Sequence, residues 1–362
     1  MALEGPKRIL IVQTAFLGDV ILATPLIRAC KGLWPEATVD FLCIPQTAPL
    51  LENHPLLGQV IPYDKRGKER GLLPLVRLIR SLRARRYGLA IVPHPSLRSA
   101  VLVSAAGIPL RAGSNRSAGK WLFNRLVHYE KGRHEVERNL KLLRPFGWEA
   151  RGLRPELFPS RSDCRRVDEL LAAVGHSPFV ALAPGSVWPT KRWPTRSFSQ
   201  LAARLEAELG LRCVLVGGQE DKELGEEIAS SSRGSVLNLA GKLTPLQSAE
   251  VIRRARVLVT NDTAPLHMAS ATGTPVVAIF GPTVPEFGFG PYRVPHRIAQ
   301  IPLACRPCST HGGKRCPIGT FACMENLHPE LVFDLTAQLL EELDGVERKG
   351  KTEQFLDRGS DA

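Results

Sequence analysis

Short apolar runs rich in β-branched residues alternate along the chain with longer segments in which apolar residues recur at helical spacing. Apolar runs of this kind are typical of parallel strands that are buried on both faces of a sheet. The runs that we expect to form strands are Arg8 to Val12, Thr38 to Cys43, Leu89 to Val92, Phe179 to Ala183, Cys213 to Val216, Asn238 to Ala240, Val257 to Val259 and Val276 to Phe280. The alternation of strands and helices predicts an α/β protein.

The chain is long enough for two such units, because its 362 residues exceed what one hydrophobic core comfortably holds. Residues Arg151 to Ser162 contain two prolines and a glycine and show no periodicity, which is typical of an interdomain linker. We therefore expect a first domain over residues 1–160, a second over residues 161–343, and a flexible polar tail over residues 344–362.

A compact strand-helix-strand unit is predicted between Arg256 and Gly281. Asp262, Thr263 and His267 fall where its first strand ends and its helix begins, which is the edge where parallel α/β sheets bind ligands. The free N–H groups of a helix start also attract anions. These three residues are candidates for holding a phosphorylated, hydroxyl-rich ligand. Taken alone, such a junction is more often an ordinary helix cap, and the pattern by itself leaves both interpretations open.

Two further junctions in the second half carry polar groups. The Gly185-Ser186 turn offers backbone N–H groups, and Lys191 offers a flexible cation for a phosphate. Glu220 or Asp221 offers a carboxylate suited to ribose hydroxyls. Polar residues at several strand ends of one domain favour a nucleotide-binding site in the second half.

The first half has its own strand end, turn and helix start. Gly18 permits close backbone approach, and Asp19 stands at the start of the predicted helix. Asp19 can act as a helix cap or as a base at the mouth of the first domain, and both interpretations stay open. Pro25 lies inside the predicted helix and indicates a kink or a distorted turn there.

The composition is basic, with 48 Lys and Arg against 35 Asp and Glu and a formal net charge of +13. This charge indicates an anionic partner, which could be nucleic acid, lipid headgroups or phosphorylated saccharides. Aromatic residues are sparse and are not interleaved with the basic runs, which argues against nucleic acid. Leu72 to Arg86 is predicted to form a basic amphipathic helix, and the charged side of such a helix is usually just solvated. The other candidates for binding an anionic acceptor are Arg98, Arg111, Arg116 and His134.

Four of the eight cysteines form a C-x2-C-x7-C-x6-C series near the end of the second half. They are Cys305, Cys308, Cys316 and Cys323. Thiols at this spacing could bind a structural zinc ion, or they could be reduced or disulfide-linked. The remaining cysteines are scattered, as expected of small buried residues in a reduced protein. With no secretory pattern or membrane span at the N-terminus, we expect a cytoplasmic location.

Taken together, the motifs resemble those of glycosyltransferase family 9, the heptosyltransferases of lipopolysaccharide core synthesis, and particularly the heptosyltransferase II type. The resemblance extends from about Lys7 to Leu343. The motifs that carry it, in chain order, are Gly18-Asp19 with Pro25, Arg98-Ser99, His134-Glu135-Val136-Glu137-Arg138, Pro184-Gly185-Ser186, Lys191-Arg192-Trp193-Pro194, Gly217-Gly218, Asn261-Asp262-Thr263 with Pro265 and His267, Gly281-Pro282-Thr283, and the Cys305-to-Cys323 loop.

The resemblance implies a GT-B fold, in which two Rossmann-like domains with parallel sheets face each other across a cleft. It implies an inverting, metal-independent transfer of heptose from ADP-heptose to the lipid A–Kdo/heptose inner core, with peripheral contact to the anionic inner membrane. Asp19 would be the general base, Lys191 would neutralise the departing ADP, and Asp262 would bind heptose hydroxyls. The other donor-binding positions that it implies are Gly185, Ser186, Glu220, Thr263, Ala264 and His267, and the acceptor-binding positions are Gly18, Arg98, Arg111, Arg116 and His134.

One position departs from the family pattern, because Ala264 stands where these enzymes commonly have glycine. Its methyl group narrows the approach of a diphosphate to this loop. The motifs do not separate heptosyltransferases I, II and III. Two alternatives stay open at this point: another GT-B nucleotide-sugar transferase or epimerase, and a basic nucleic-acid-binding protein.

Overall fold

In the computed structural model, the described residues are 5–359 except 66, 68, 150, 151, 176 and 233–235, with side chains described as far as residue 346. The chain divides into two compact units. The first comprises Met1–Arg161 and Glu286–Tyr292, and the second comprises Ser162–Pro285 and Arg293–Ala362. Arg151, where the predicted linker begins, and residues 360–362 of the predicted tail lie outside the described residues.

The first unit is built on a six-stranded parallel sheet with the order β3-β2-β1-β4-β5-β6. Its strands are β1 (Arg8–Val12), β2 (Thr38–Cys43), β3 (Val60–Pro62), β4 (Leu89–Val92), β5 (Leu110–Ser114) and β6 (Arg125–Val127). Its helices are α1 (Leu17–Ala23), α2 (Pro25–Leu33), α3 (Leu72–Ala84), α4 (Leu97–Ala105) and α5 (Glu135–Lys141). The central strands are buried, and Leu75, Leu78 and Ile79 of α3 pack on one core cluster of this unit.

The first predicted helix is broken at Pro25, as the sequence indicated. Thr24 ends α1 and also precedes α2, where Pro25 occupies the first turn and needs no backbone N–H partner. The Thr24 hydroxyl donates to the carbonyl of Ile21 at 2.8 Å and accepts the N–H of Glu156 at 3.0 Å. The break therefore gives a fixed corner, held from the far end of the same unit.

The second unit repeats the plan, with a parallel sheet in the order β12-β11-β10-β7-β8-β9. Its strands are β7 (Phe179–Ala183), β8 (Arg212–Leu215), β9 (Val236–Asn238), β10 (Val257–Asn261), β11 (Val276–Ile279) and β12 (His296–Ala299). Its helices are α6 (Arg161–Leu171), α7 (Thr195–Leu209), α8 (Lys222–Ser231), α9 (Pro245–Arg254), α10 (Ala264–Thr272), α11 (Ala322–Glu325) and α12 (Pro329–Gly359). Both sheets have the strand order of a Rossmann fold, in which ligands bind where the order reverses. The predicted α/β class with two parallel Rossmann-like sheets is confirmed.

Two stretches differ from the sequence analysis. Strand β5, next to the edge of the first sheet, is absent from the strands that the sequence predicts, because its arginine and glycine break the apolar pattern. Helix α12 continues past Leu343 to Gly359, so the backbone is helical where the sequence predicts a flexible tail. The flexibility of this segment stays a prediction.

Candidate active site

A buried ion pair lies at the carboxyl end of β10 in the second unit. The Lys191 ammonium donates to Asp262 Oδ2 at 2.6 Å and to the Asp262 carbonyl at 3.2 Å. The Thr283 hydroxyl donates to the same Oδ2 at 2.7 Å. The three residues are 9%, 6% and 2% exposed, respectively. A charge-assisted cluster of this kind holds the ammonium and the carboxylate in fixed positions at the end of β10.

The Asn261 side chain links the backbone segments that surround this ion pair. Its side-chain oxygen accepts the Trp193 N–H at 3.2 Å, and its Nδ2 donates to the carbonyl of Pro184 at 2.8 Å. The Trp193 ring is buried and its Nε1 donates to the carbonyl of Leu327 at 2.9 Å. Lys191 stands two residues before Trp193, at the end of a short 3-10 turn. The ends of β7 and β10 and the Lys191 turn are therefore tied together by one amide side chain.

Gly185 and Ser186 form the turn after β7, with Asp221 packed against it. A Cβ on Gly185 would lie 2.2 Å from Asp221 Cγ, so any other residue there would displace the Asp221 side chain. The Asp221 carboxylate accepts the Gly218 N–H at 2.9 Å, and burial raises its pKa. Glu220, the predicted ribose-binding residue, is exposed. The half-buried Asp221 therefore shapes the turn, while the exposed Glu220 has the solvent access that ligand binding requires.

The start of α10 is the third part of this site. Thr263 precedes the helix in an extended conformation and its hydroxyl donates to the carbonyl of Asn261 at 3.4 Å. Ala264 is the first helical residue, Pro265 follows in the first turn, and His267 is buried one turn along. The first backbone N–H groups of a helix have no partner within it, so this end favours an anion.

The cysteine-containing loop contacts the Lys191 turn. The Thr190 hydroxyl donates to the Gly313 carbonyl at 2.9 Å and accepts the Gly313 N–H at 2.8 Å. All four cysteines of the loop are free thiols. No group of three or more His, Cys, Asp or Glu side chains among the described residues, which include these four, is arranged to hold a metal ion. The zinc site suggested by the spacing is therefore not formed by the four thiols in this arrangement.

In the first unit, Gly18 and Asp19 lie in the first turn of α1, after β1. The Asp19 carboxylate accepts the Phe16 N–H at 3.2 Å. Asp19 thus caps its own helix, which is one of the two roles that the sequence allowed, and its carboxylate remains partly exposed. A cap of this kind orients the carboxylate without burying it, so a role of this carboxylate in proton transfer is compatible with the geometry.

A second cluster of this unit gathers at the ends of β1 and β4. Lys65 donates to the Thr14 hydroxyl at 3.0 Å, and that hydroxyl lies 3.2 Å from His94 Nδ1. Ser99 Oγ is 3.5 Å from the same oxygen. Arg98 donates to the Lys65 carbonyl at 3.4 Å, and its guanidinium lies over the Tyr63 ring at 5.3 Å. Two cations and several hydroxyls therefore meet at this edge.

The other predicted acceptor-binding residues do not join this cluster through any described hydrogen bond. Arg111 donates to the carbonyls of Leu122 and Ile108 at 2.8 and 2.5 Å and so closes β5 onto its neighbouring turn. Arg116 lies over the Tyr129 ring at 4.7 Å. Arg111 therefore makes structural contacts within the first unit, whereas Arg116 is exposed.

His134 uses both ring nitrogens. Its Nδ1 accepts the Val136 N–H at 3.2 Å and caps α5, while Nε2 lies 2.9 Å from the carbonyl of Gly290. The ring stacks on Tyr292 with centroids 4.4 Å apart. Because Nδ1 is the acceptor, Nε2 carries the proton and donates to Gly290. Burial lowers the pKa of His134 to about 4, so the neutral ring holds the 286–292 segment in the first unit.

Sequence reasoning missed Thr14, Lys65 and His94 in the first unit and Thr283 in the second. Each follows a strand, and that position is the signal that could have found them. The pattern alone does not show which strand-end side chains point toward one another.

The sequence model of glycosyltransferase family 9 (heptosyltransferase) matches residues 75–317. The chain belongs to glycosyltransferase family 9. This family 9 chain is 29% identical over 302 residues to lipopolysaccharide heptosyltransferase 2 of Salmonella typhimurium, covering 77% of the chain and 84% of that relative. It is 30% identical over 280 residues to lipopolysaccharide heptosyltransferase 3 of Escherichia coli, covering 74% and 82%.

The fold of this family 9 chain also matches a solved relative. The structure of Escherichia coli ADP-heptose lps heptosyltransferase II has a TM-score of 0.77 and 26% identity, and the match covers 93% of this chain and 99% of that one. The resemblance drawn from the motifs is confirmed, and the chain is an enzyme, a glycosyltransferase. Relatives named as types 2 and 3 are similar to it to nearly the same degree.

Proposed function

We propose that the enzyme transfers L-glycero-D-manno-heptose from ADP-heptose to the inner core of nascent lipopolysaccharide, as a heptosyltransferase of the second type. The observation that carries the proposal is the buried Lys191–Asp262 pair at the ligand-binding edge of a Rossmann-like sheet. Its support is the similarity to proteins named lipopolysaccharide heptosyltransferase 2 and to ADP-heptose lps heptosyltransferase II.

Donor binding is assigned to the second unit. The diphosphate would lie near Lys191 and the start of α10, where Thr263, Ala264 and His267 stand. Both the ammonium and the helix start favour an anion without requiring a metal ion. The Asp262 carboxylate would accept hydrogen bonds from heptose hydroxyls.

The nucleoside end of the donor has its own assigned contacts. The Gly185-Ser186 turn permits close approach of the ligand to the backbone, and the exposed Glu220 carboxylate would accept the ribose hydroxyls.

The chemistry is a single displacement. Asp19 takes the proton of an acceptor hydroxyl, and that oxygen forms a bond to the anomeric carbon of heptose. The bond from that carbon to the phosphate oxygen breaks, and ADP leaves with the electron pair. Lys191 stabilises the charge that develops on the leaving diphosphate. Attack from the side opposite the leaving group inverts the anomeric configuration.

Acceptor binding is assigned to Arg98, with Lys65 and the partly exposed turn at Gly18. The Arg98 guanidinium and the Lys65 ammonium suit the acidic groups of a Kdo-containing core. Arg111 and His134 are expected to contribute less to acceptor binding, because the donors of Arg111 and the ring nitrogens of His134 already have partners within the unit. Arg116 is exposed and stays a candidate.

Helix α3 is assigned the contact with the anionic inner membrane. Leu72 and Leu73 in its first turn are 79% and 73% exposed, and Arg77 and Arg80 lie exposed farther along the helix. Exposed leucines beside cations are the combination that binds an anionic lipid surface from one side. No helix among the described residues has the length and apolar character needed to cross a bilayer.

The test of the proposal replaces the base. Asp19→Asn keeps the size of the side chain but removes the basic carboxylate, so transfer should fall by about 100-fold or more while ADP affinity stays within twofold. Glu137→Ala is the matched control, because Glu137 is also an acidic residue in the first turn of a helix of this unit. Wild-type turnover in Asp19→Asn would refute the role given to Asp19.

A donor other than ADP-heptose is the alternative that the fold itself permits. The cognate donor should raise the melting temperature most strongly among sugar nucleotides at equal concentration. A larger shift with another sugar nucleotide would favour a transferase for a different sugar. Activity that persists in excess EDTA would support the metal-independent mechanism.

A further inference from the structure

The cysteine-containing loop, defined here as residues 302–323, contacts the Lys191–Asp262 pair from two directions. One contact is made through Arg306 and the turn after β11. The other is made through Gly312 and Gly313 and the turn that carries Lys191. The loop residues that make these contacts have no role of their own in the proposed mechanism.

Arg306 organises the turn that presents Thr283. Its guanidinium donates to the carbonyl of Phe280 at 3.0 Å, to that of Thr283 at 3.2 Å and to that of Gly281. The Cys308 N–H adds a bond to the Pro282 carbonyl at 2.9 Å. Every backbone carbonyl from residue 280 to residue 283 is therefore held by the loop. A planar guanidinium suits this work because its donors point in fixed directions.

Thr283 connects the turn held by Arg306 to the Lys191–Asp262 ion pair. Its hydroxyl donates to Asp262 Oδ2, the same oxygen that accepts from Lys191. With Thr283 only 2% exposed, water cannot readily replace the hydroxyl. The hydrogen bond therefore fixes the rotation of the carboxylate and with it the position of the ammonium.

Gly312 contacts Lys191 from the other side. A Cβ at Gly312 would lie 3.0 Å from Lys191 Cγ and 3.1 Å from its Cε. The loop is secured at this point by the pair of hydrogen bonds between Gly313 and Thr190. The absence of a side chain at residue 312 thus leaves the stem of Lys191 the space that it occupies.

We propose that Arg306, Thr283 and Gly312 are positioning residues that set the Lys191–Asp262 pair for donor binding and leaving-group stabilisation. The catalytic part of this inference rests on the proposed function. The positional part concerns the ion pair itself and can be measured without any sugar donor.

The first experiment compares Thr283→Val with Thr283→Ser. The valine variant keeps the volume but removes the hydroxyl, so kcat/KM with ADP-heptose should fall about tenfold, the size expected for losing a hydrogen bond to a charged group. The serine variant keeps the donor and should stay within about threefold of wild type. Equal values for valine, serine and wild type would overturn the role of Thr283.

The second experiment uses two glycines of the same loop. Gly312 and Gly319 both have positive φ, at 87° and 75°, but a Cβ at Gly319 would have nothing within 4 Å. Gly312→Ala and Gly319→Ala therefore carry similar backbone strain, and only the first crowds the stem of Lys191, together with Cβ of Trp188 in the same turn at 3.0 Å. We expect about fivefold lower kcat/KM for Gly312→Ala than for Gly319→Ala. Equal values would show that the contact with Lys191 has no effect.

A third measurement separates this inference from the proposed function. Acetylation of Lys191 by acetic anhydride, quantified by mass spectrometry against the exposed Lys222, reports how firmly the ammonium is held. Arg306→Met and Thr283→Val should each raise the relative labelling of Lys191 several-fold, whereas Gly319→Ala should not. Unchanged labelling in both variants would overturn the positioning role. If wild-type protein transfers no heptose, the proposed function fails, and the labelling contrast still decides this inference.

Discussion

Removing the carboxylate of Asp262 should destabilise the second unit as well as impair donor binding. Lys191 has a side chain that is 11% exposed, and its described hydrogen bonds go to Asp262 Oδ2 and to the Asp262 backbone. Asp262→Ala leaves a buried ammonium with one carbonyl partner. Breaking a buried pair in this way costs about 3–5 kcal/mol. We expect a value near 3 kcal/mol, because the ammonium can reach solvent after a small movement.

The assay is urea unfolding followed by tryptophan fluorescence, to which the buried Trp193 contributes. Lys191→Met and the double variant complete a cycle, and the double variant should cost about 1–3 kcal/mol less than the sum of the single variants. Glu169→Ala breaks the exposed Arg166–Glu169 pair of the same unit and should cost at most about 1 kcal/mol. A cost below about 1 kcal/mol for Asp262→Ala, or strict additivity in the cycle, would refute the reasoning.

Three further predictions concern the first unit. Arg98→Met should raise KM for the core acceptor about tenfold and leave ADP affinity unchanged in calorimetry. Arg125→Met is the control. An equal loss of acceptor affinity and ADP affinity in Arg98→Met would contradict the assignment. His134→Asn should keep the cap of α5 but remove the contribution of residue 134 to the pH dependence of the free energy of unfolding. Because burial lowers the pKa of His134 from 6.5 to about 4, its contribution to wild-type stability is complete above pH 6.5 and decreases by roughly 3 kcal/mol as pH falls toward 4. Urea midpoints at pH 7 and pH 4.5 should therefore differ less in the variant, and an equal difference in both proteins would be contrary evidence. Leu72→Ser combined with Leu73→Ser should weaken binding to anionic vesicles about tenfold in a flotation assay, whereas Leu126→Ser, at another exposed leucine, should not.

The central strands were predictable because burial on both faces leaves a strong apolar signal. Arg8–Val12 and Phe179–Ala183 have the bounds that the sequence predicted. The outer strands β3, β6 and β12 contain only three or four residues and include proline, arginine or histidine, so no periodicity marked them. Their strand conformation comes from pairing with a neighbour rather than from their own composition.

The candidate site was predictable in part for a related reason. A strand end is visible in the sequence, so Lys191 and Asp262 could be assigned to one rim, and the structure places them in contact. Their roles in catalysis stay predictions. The link from Arg306 through Thr283 to Asp262 joins residues that are distant in sequence and depends on backbone carbonyls, which carry no sequence signature. Likewise, nothing in the sequence shows that both ring nitrogens of His134 are occupied.

The most direct test of the account is mass spectrometry of a Kdo- and heptose-containing core acceptor after incubation with the purified enzyme and ADP-heptose. The account predicts that the acceptor gains a single heptose, that one ADP is released for each heptose added, and that Asp19→Asn lowers both signals by about 100-fold or more. An unmodified acceptor with a folded, ADP-binding enzyme, or equal transfer by Asp19→Asn, would contradict it.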